Sequence, residues 1–198
     1  MTKTRQTWID DAIAEARPIF KAAGHPLPRK LRASCSWPVS GALRKKNGSR
    51  TIGQCFYPEA SAAGYTEIAL SWAVDKPVEV LAILWHELVH AALDADAGHG
   101  PRFKALATAL GLTGKMTATE AGPELTKTLK AIAKRLGKYK HDAVDVAKIH
   151  KPQTTRMVKA ECGTCGYTVR TSMKWIEIAI PTCPDEDCSN NGFEMEIG

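Results

Sequence analysis

The sequence predicts an α+β protein: a domain in which a short antiparallel sheet packs on helices, followed by a small metal-held module. Three observations carry this prediction. Segments with strand periodicity at 31–37, 51–57 and 66–71 are followed by helical patterns at 77–95, 101–110 and 123–136. The segment 77–95 is apolar nearly all round, yet it carries two histidines and a glutamate. Four of the six cysteines fall within residues 162–188 as two close pairs.

The elements follow in order. Residues 6–23 place Trp8, Ile9, Ala12, Ile13, Ala16 and Phe20 at helical intervals, and Gly24 with Pro26 and Pro28 ends the helix. Leu31, Ala33, Cys35 and Trp37 alternate with Arg32, Ser34 and Ser36, which is a strand. Residues 51–57 form a second strand, and Asn47-Gly48 in the basic turn before it predicts a hairpin between the two. A third strand covers 66–71. Asp75 is expected as the cap of the apolar helix, with Pro77 in its first turn and Gly98 at its end. Pro101 and Gly111 bracket the next helix, and Leu125, Leu129, Ile132, Ala133 and Leu136 line one face of the helix at 123–136. Residues 137–155 have no clear apolar period and many charges, and read as a linker or an irregular basic segment. The expected division is therefore 1–122, a basic helix and linker at 123–155, and a separate unit at 156–198.

Composition narrows the class. Hydrophobic residues make up 44% of the 198 positions and charged ones 24%, so a core can form and wholesale disorder is excluded. No apolar run approaches the roughly 18 residues of a membrane span, and residues 1–20 lack the apolar stretch of a secretory signal. A cytoplasmic protein is expected, with association to DNA or a nucleoid open to it. The net charge is +6, with the positive excess in residues 101–155, so a polyanionic partner is expected there. Cys35 and Cys55 stand apart from the other four and read as small apolar strand residues.

The chemistry lies in His86-Glu87-Leu88-Val89-His90. Histidines four apart project from one helix face and can share one Zn²⁺. Glu87 can reach a water on that ion without ligating it. Zinc lowers the water's pKa toward about 7, and a carboxylate can then take its proton. Burying two imidazoles and a carboxylate among Leu84, Trp85, Leu88 and Val89 costs several kcal/mol unless they are partnered, and a metal partners them. A catalytic zinc needs a third protein ligand from outside the helix. His99 is the best candidate, because Gly98 lets the chain turn back and Gly100-Pro101 starts a new helix; Asp94 and Asp96 are alternatives. His25, His141 and His150 read as solvated loop histidines.

The short strand ending Ile68-Ala69-Leu70-Ser71, the His86–His90 motif and His99-Gly100-Pro101-Arg102-Phe103 together resemble the SprT-like zinc metalloprotease family, in order and in residue type. The resemblance covers residues 5–115 and extends to the cysteine tail that several members carry. It implies a small zincin-like metalloprotease domain, zinc held by His86, His90 and His99, and Glu87 as general base. It also implies a protein or peptide substrate, a DNA-associated role in some members, and a strand at 66–71 that offers backbone groups to an extended substrate.

Cys162-Gly-Thr-Cys165 and Cys183-Pro-Asp-Glu-Asp-Cys188 give four thiolates in two pairs, with residues 167–171 and 175–178 read as two strands between them. That is a zinc ribbon, a closed structural site with no open position, so two zinc ions per chain are expected. Lys127, Lys130, Lys134, Arg135, Lys138 and Lys140 fall in an acid-free stretch suited to phosphates, with Tyr139 as its one aromatic residue, so stacking on bases has little support. Three functions are open on this reading. The first is a zinc metallopeptidase acting on nucleic-acid-associated proteins; the second is a nucleic-acid-associated adaptor or transcription-linked factor with little or no proteolysis; the third, opposed only by the resemblance, is a metal hydrolase of non-peptide substrates.

Overall fold

The structure is a computed structural model that describes residues 4–39, 50–148 and 156–198. Two compact units divide the chain, Met1–Val146 and Ala147–Gly198.

In the first unit, α1 (Arg5–Ala22) buries the apolar stripe from Trp8 to Phe20. Thr4 caps it: its hydroxyl accepts from Thr7 N, and the Thr7 hydroxyl accepts from Thr4 N. The sheet holds β1 (Leu31–Cys35), β2 (Gly53–Phe56) and β3 (Thr66–Leu70) in the order β1-β3-β2. β1 is parallel to β3 and β2 antiparallel to it, so the sheet is mixed rather than antiparallel. The expected hairpin between the first two strands does not form, because β3 lies between them; Asn47-Gly48 itself lies outside the described residues. β3 takes the centre because Ile68, Ala69 and Leu70 are buried in succession, which suits a strand covered on both faces.

The apolar helix is α2 (Pro77–Ala91). Its cap is Lys76 rather than Asp75, whose carboxylate accepts instead from Ala143 N at 3.4 Å. α2 ends before the expected 95, since Asp94 adopts an extended conformation and a 3-10 turn follows at Ala95–Ala97. Gly98 then reverses the chain with φ +44°, and α3 (Pro101–Ala109) begins. β4 (Leu112–Lys115) and β5 (Ala118–Ala121) form an antiparallel hairpin with no counterpart in the sequence reading. α4 (Pro123–Leu136) matches its expected limits and buries Leu125, Leu129, Ile132 and Leu136.

Residues 137–146 are docked on this unit rather than acting as a linker. Tyr139 is buried with its ring 4.7 Å from that of Trp8, whose indole N–H donates to Gly137 O at 3.0 Å. Val144 N donates to Trp72 O. His141, expected to be solvated, lies between the Arg5 guanidinium and the same Trp72 carbonyl, at 3.1 and 2.9 Å. Burying Tyr139 and pairing these polar groups outweighs the polar composition that suggested a linker. His150 lies outside the described residues.

The second unit contains β6 (Met157–Glu161), β7 (Thr168–Ser172), a short helix α5 (Met173–Ile176) and β8 (Glu196–Ile197), in sheet order β7-β6-β8. The expected strand at 175–178 is thus a helical turn, and the strand that pairs with β7 precedes the first cysteine. The core of the unit is small: Ala160, Cys162, Cys183, Cys188 and Met195. No helix among the described residues is long and apolar enough to cross a membrane.

Candidate metal centres

α2 projects His86 and His90 from one face, with ring centroids 5.1 Å apart. The turn at Gly98 brings His99 back over them. His99 Nε2 stands 3.2 Å from His90 Nε2 and 3.3 Å from His86 Nε2. Three imidazole nitrogens at corners of a tetrahedron around one zinc, at its usual bond length, stand about 3.3 Å apart. The spacing therefore fits a single divalent ion. Phe103 on α3, fully buried, supports all three rings with centroids 5.0, 4.4 and 5.0 Å away. Asp94, the alternative ligand, pairs with Arg102 at 2.9 Å, and neither it nor Asp96 belongs to the cluster.

Electrostatics suits the same role. Burial lowers His86 to about 4, and burial with the two neighbouring imidazoles lowers His90 to about 3, while burial also lowers His99. All three rings are therefore neutral at pH 7, with lone pairs free for a metal. Glu87 is 5% exposed, and burial pushes its carboxyl up to about 8, opposed by a hydrogen bond from the Cys55 backbone N–H. β2 crosses close above it: a Cβ on Gly53 would collide with Glu87 Oε1 and stand 2.7 Å from Ile83 Cγ2.

These groups open into a cleft of about 520 Å³. One wall is β2 with Tyr57, whose phenol burial and nearby acids push up to about 12; the other includes Thr117, Ala118 and Thr119 of the β4–β5 hairpin. The Thr119 hydroxyl lies 2.8 Å from His86 Nδ1. Neither Thr119 nor Tyr57 was marked by sequence. Both are small parts of weak strand patterns, and nothing local tells which face the cleft.

The strand along the cleft also differs from expectation. β3, at 66–70, has partners on both sides and no free edge. Among the described residues, the strand edge beside the cleft belongs to β2. Ser71 N donates to Ile52 O, so Gln54 and Phe56 share the ladder bonds to β3, while Gly53 and Cys55 turn their backbone groups outward.

A model of the SprT-like family matches residues 16–124. The chain belongs to the SprT-like family. No curated protein and no solved structure matches it. The SprT-like match runs from α1 through the three histidines and the hairpin to the start of α4, and the family is generally of metalloprotease type.

The match stops before the cysteine unit, which rests on its own geometry. Cys162 Sγ is 3.8 Å from Cys188 Sγ, and Cys165 Sγ 3.6 Å from Cys183 Sγ. Thiolates on a tetrahedral zinc stand about 3.8 Å apart, so these four fit one ion, and none is in a disulfide. The backbone N–H groups of Cys165 and Thr164 lower Cys162 to about 6, and Asn190 donates to the sulfurs of Cys188 and Cys162. Such N–H···S bonds stabilise thiolate charge.

Lys127, Lys130, Lys134, Arg135, Lys138 and Lys140 of the SprT-like chain are all exposed. Lys127 is paired with Glu124 and Arg135 with Glu15. Of these six, Lys130, Lys134, Lys138 and Lys140 have no ion pair among the described residues.

Proposed function

We propose that this chain is a zinc-dependent metalloendopeptidase that cuts extended polypeptide, with nucleic-acid-associated proteins as the substrate class. The observation that carries the reading is the convergence of three neutral imidazole nitrogens beside one buried carboxylate in an open cleft. His86, His90 and His99 would hold the ion. When bound, zinc acts as a Lewis acid that polarises a carbonyl and lowers the pKa of a coordinated water.

The chain's own residues supply the rest. Glu87 Oε1 or Oε2 takes a proton from the attacking water and returns it to the leaving amine. The outward backbone groups of Gly53 and the Cys55 carbonyl pair with the substrate main chain, which positions the scissile bond without reading its side chains, while the Cys55 N–H stays on Glu87. Lys130, Lys134, Lys138 and Lys140 bring the enzyme to a phosphate backbone, with salt-sensitive and sequence-tolerant binding.

Glu87→Gln tests the reading. The variant should fold and bind two zinc per chain while cleavage of a substrate cut by wild type falls about 10²–10⁴-fold. Wild-type turnover in Glu87→Gln removes the role given to Glu87 and favours an adaptor.

A further inference from the structure

We infer that Thr119 is a positioning residue of the histidine centre: its hydroxyl accepts the Nδ1 proton of His86 and so fixes that ring's tautomer and plane. The inference rests on the metal reading proposed above and extends it to a residue outside the ligand set. Three observations carry it.

The first is geometric. His86 Nδ1 lies 2.8 Å from Thr119 Oγ1, while His86 Nε2 points at His99 Nε2. A ring that ligates through Nε2 must carry its proton on Nδ1, and Thr119 offers an oxygen at hydrogen-bond distance on that side. A partner on the far nitrogen holds a ligating imidazole in orientation and raises its basicity.

The second is asymmetry. Among the described residues, the hydrogen-bonding neighbours of His90 Nε2 and His99 Nε2 are other imidazoles of the cluster, whereas His86 has a partner beyond it. Beyond the packing of Phe103 on all three rings, His86 is the ring that the described residues also hold by a hydrogen bond from outside the cluster.

The third is rigidity. Thr119 sits mid-strand on β5, in register with Gly114 of β4. The base of the hairpin is anchored twice: Leu112 is buried in the core, and Gly122 N donates to Gly111 O at 2.9 Å at the start of α4. The Thr126 hydroxyl also donates to Ala121 O. A hydroxyl on such a hairpin is held in place before metal arrives, as preorganisation requires. Thr117 and Ala118 on the same hairpin line the cleft, so one element both walls the substrate path and aims a ligand.

The experiment measures zinc affinity of the full chain by competition with a chelator, with the Cys₄ centre as internal control. Thr119→Val keeps the shape and strand preference but removes the acceptor. Its histidine centre should bind zinc about 10–100-fold more weakly than wild type, with the Cys₄ centre unchanged. Thr119→Ser, which restores the hydroxyl, should bind as wild type does. Equal affinity of Thr119→Val and wild type overturns the inference while leaving the metal reading intact. So does a Thr119→Ser variant that folds yet binds tenfold more weakly, which keeps the test decisive even where Thr119→Val does not fold. A wild-type chain that binds zinc only at the cysteines overturns both.

Discussion

Gly53→Ala isolates how β2 positions Glu87. The backbone of Gly53 does not need glycine, since its φ lies outside the positive range, so the substitution acts through space alone. The added carbon would stand 2.7 Å from Ile83 Cγ2 and 2.9 Å from Glu87 Cγ, and would collide with Glu87 Oε1. Carbon atoms in contact stand about 3.5–4.0 Å apart, so each contact is short by about 1 Å. Ile83 is held in the core, so the relief falls on the Glu87 carboxylate and on the strand itself. Overpacking of this kind costs about 1–3 kcal/mol, and a displacement near 1 Å of a catalytic group costs about 10²-fold in rate. Gly53→Ala should therefore melt several degrees lower, at about 2–4 °C per kcal/mol for a unit of this size, and turn over about 100-fold more slowly. Zinc should remain bound, because no ligand is touched. The assay pairs thermal unfolding with the initial rate of cleavage of a protein cut by wild type. Wild-type rate together with wild-type melting would refute the argument, since the clash must then be absorbed without moving either Glu87 or β2.

Leu129→Ala, at a fully buried position of α4, should cost about 2–5 kcal/mol in denaturant unfolding. Tyr139→Ala should destabilise the first unit by about 3–5 kcal/mol if residues 137–146 are docked, and by almost nothing if they are a linker. Cys162→Ser should release one zinc and unfold the second unit, whose core is mostly its own ligands, while the unfolding of the first unit stays as in wild type. Arg32 holds Glu67 below the ordinary carboxylate value, so the pair stabilises above that ordinary value and the contribution fades as pH falls through the lowered one. Because the pair is exposed, Glu67→Gln should remove at most about 1 kcal/mol at pH 7 and less at pH 3.

Much of the site can be read locally. The His86–His90 spacing places two rings on one helix face whatever the helix packs against, and Gly98 with Gly100-Pro101 marks where the chain can reverse to present His99. The limits of α4 follow from Pro123, Gly137 and a strict apolar period. The β4–β5 hairpin was invisible because Thr113, Gly114, Lys115 and Ala118 carry no strand alternation, and only Leu112 is buried. Thr119 and the cleft wall were lost with it.

The sequence by itself determined which side chains could bind metal, because His86 and His90 stand four apart on one helix and each cysteine pair stands a few residues apart along the chain. Strand order, and with it the transfer of the open edge from β3 to β2, was decided only in the tertiary structure, as were the docking of Tyr139 and His141 and the meeting of Thr119 with His86. Periodicity says which face of a segment is buried but not which distant segment lies beside it. That choice is made by the whole core at once, through burial and the pairing of backbone groups far apart in the chain.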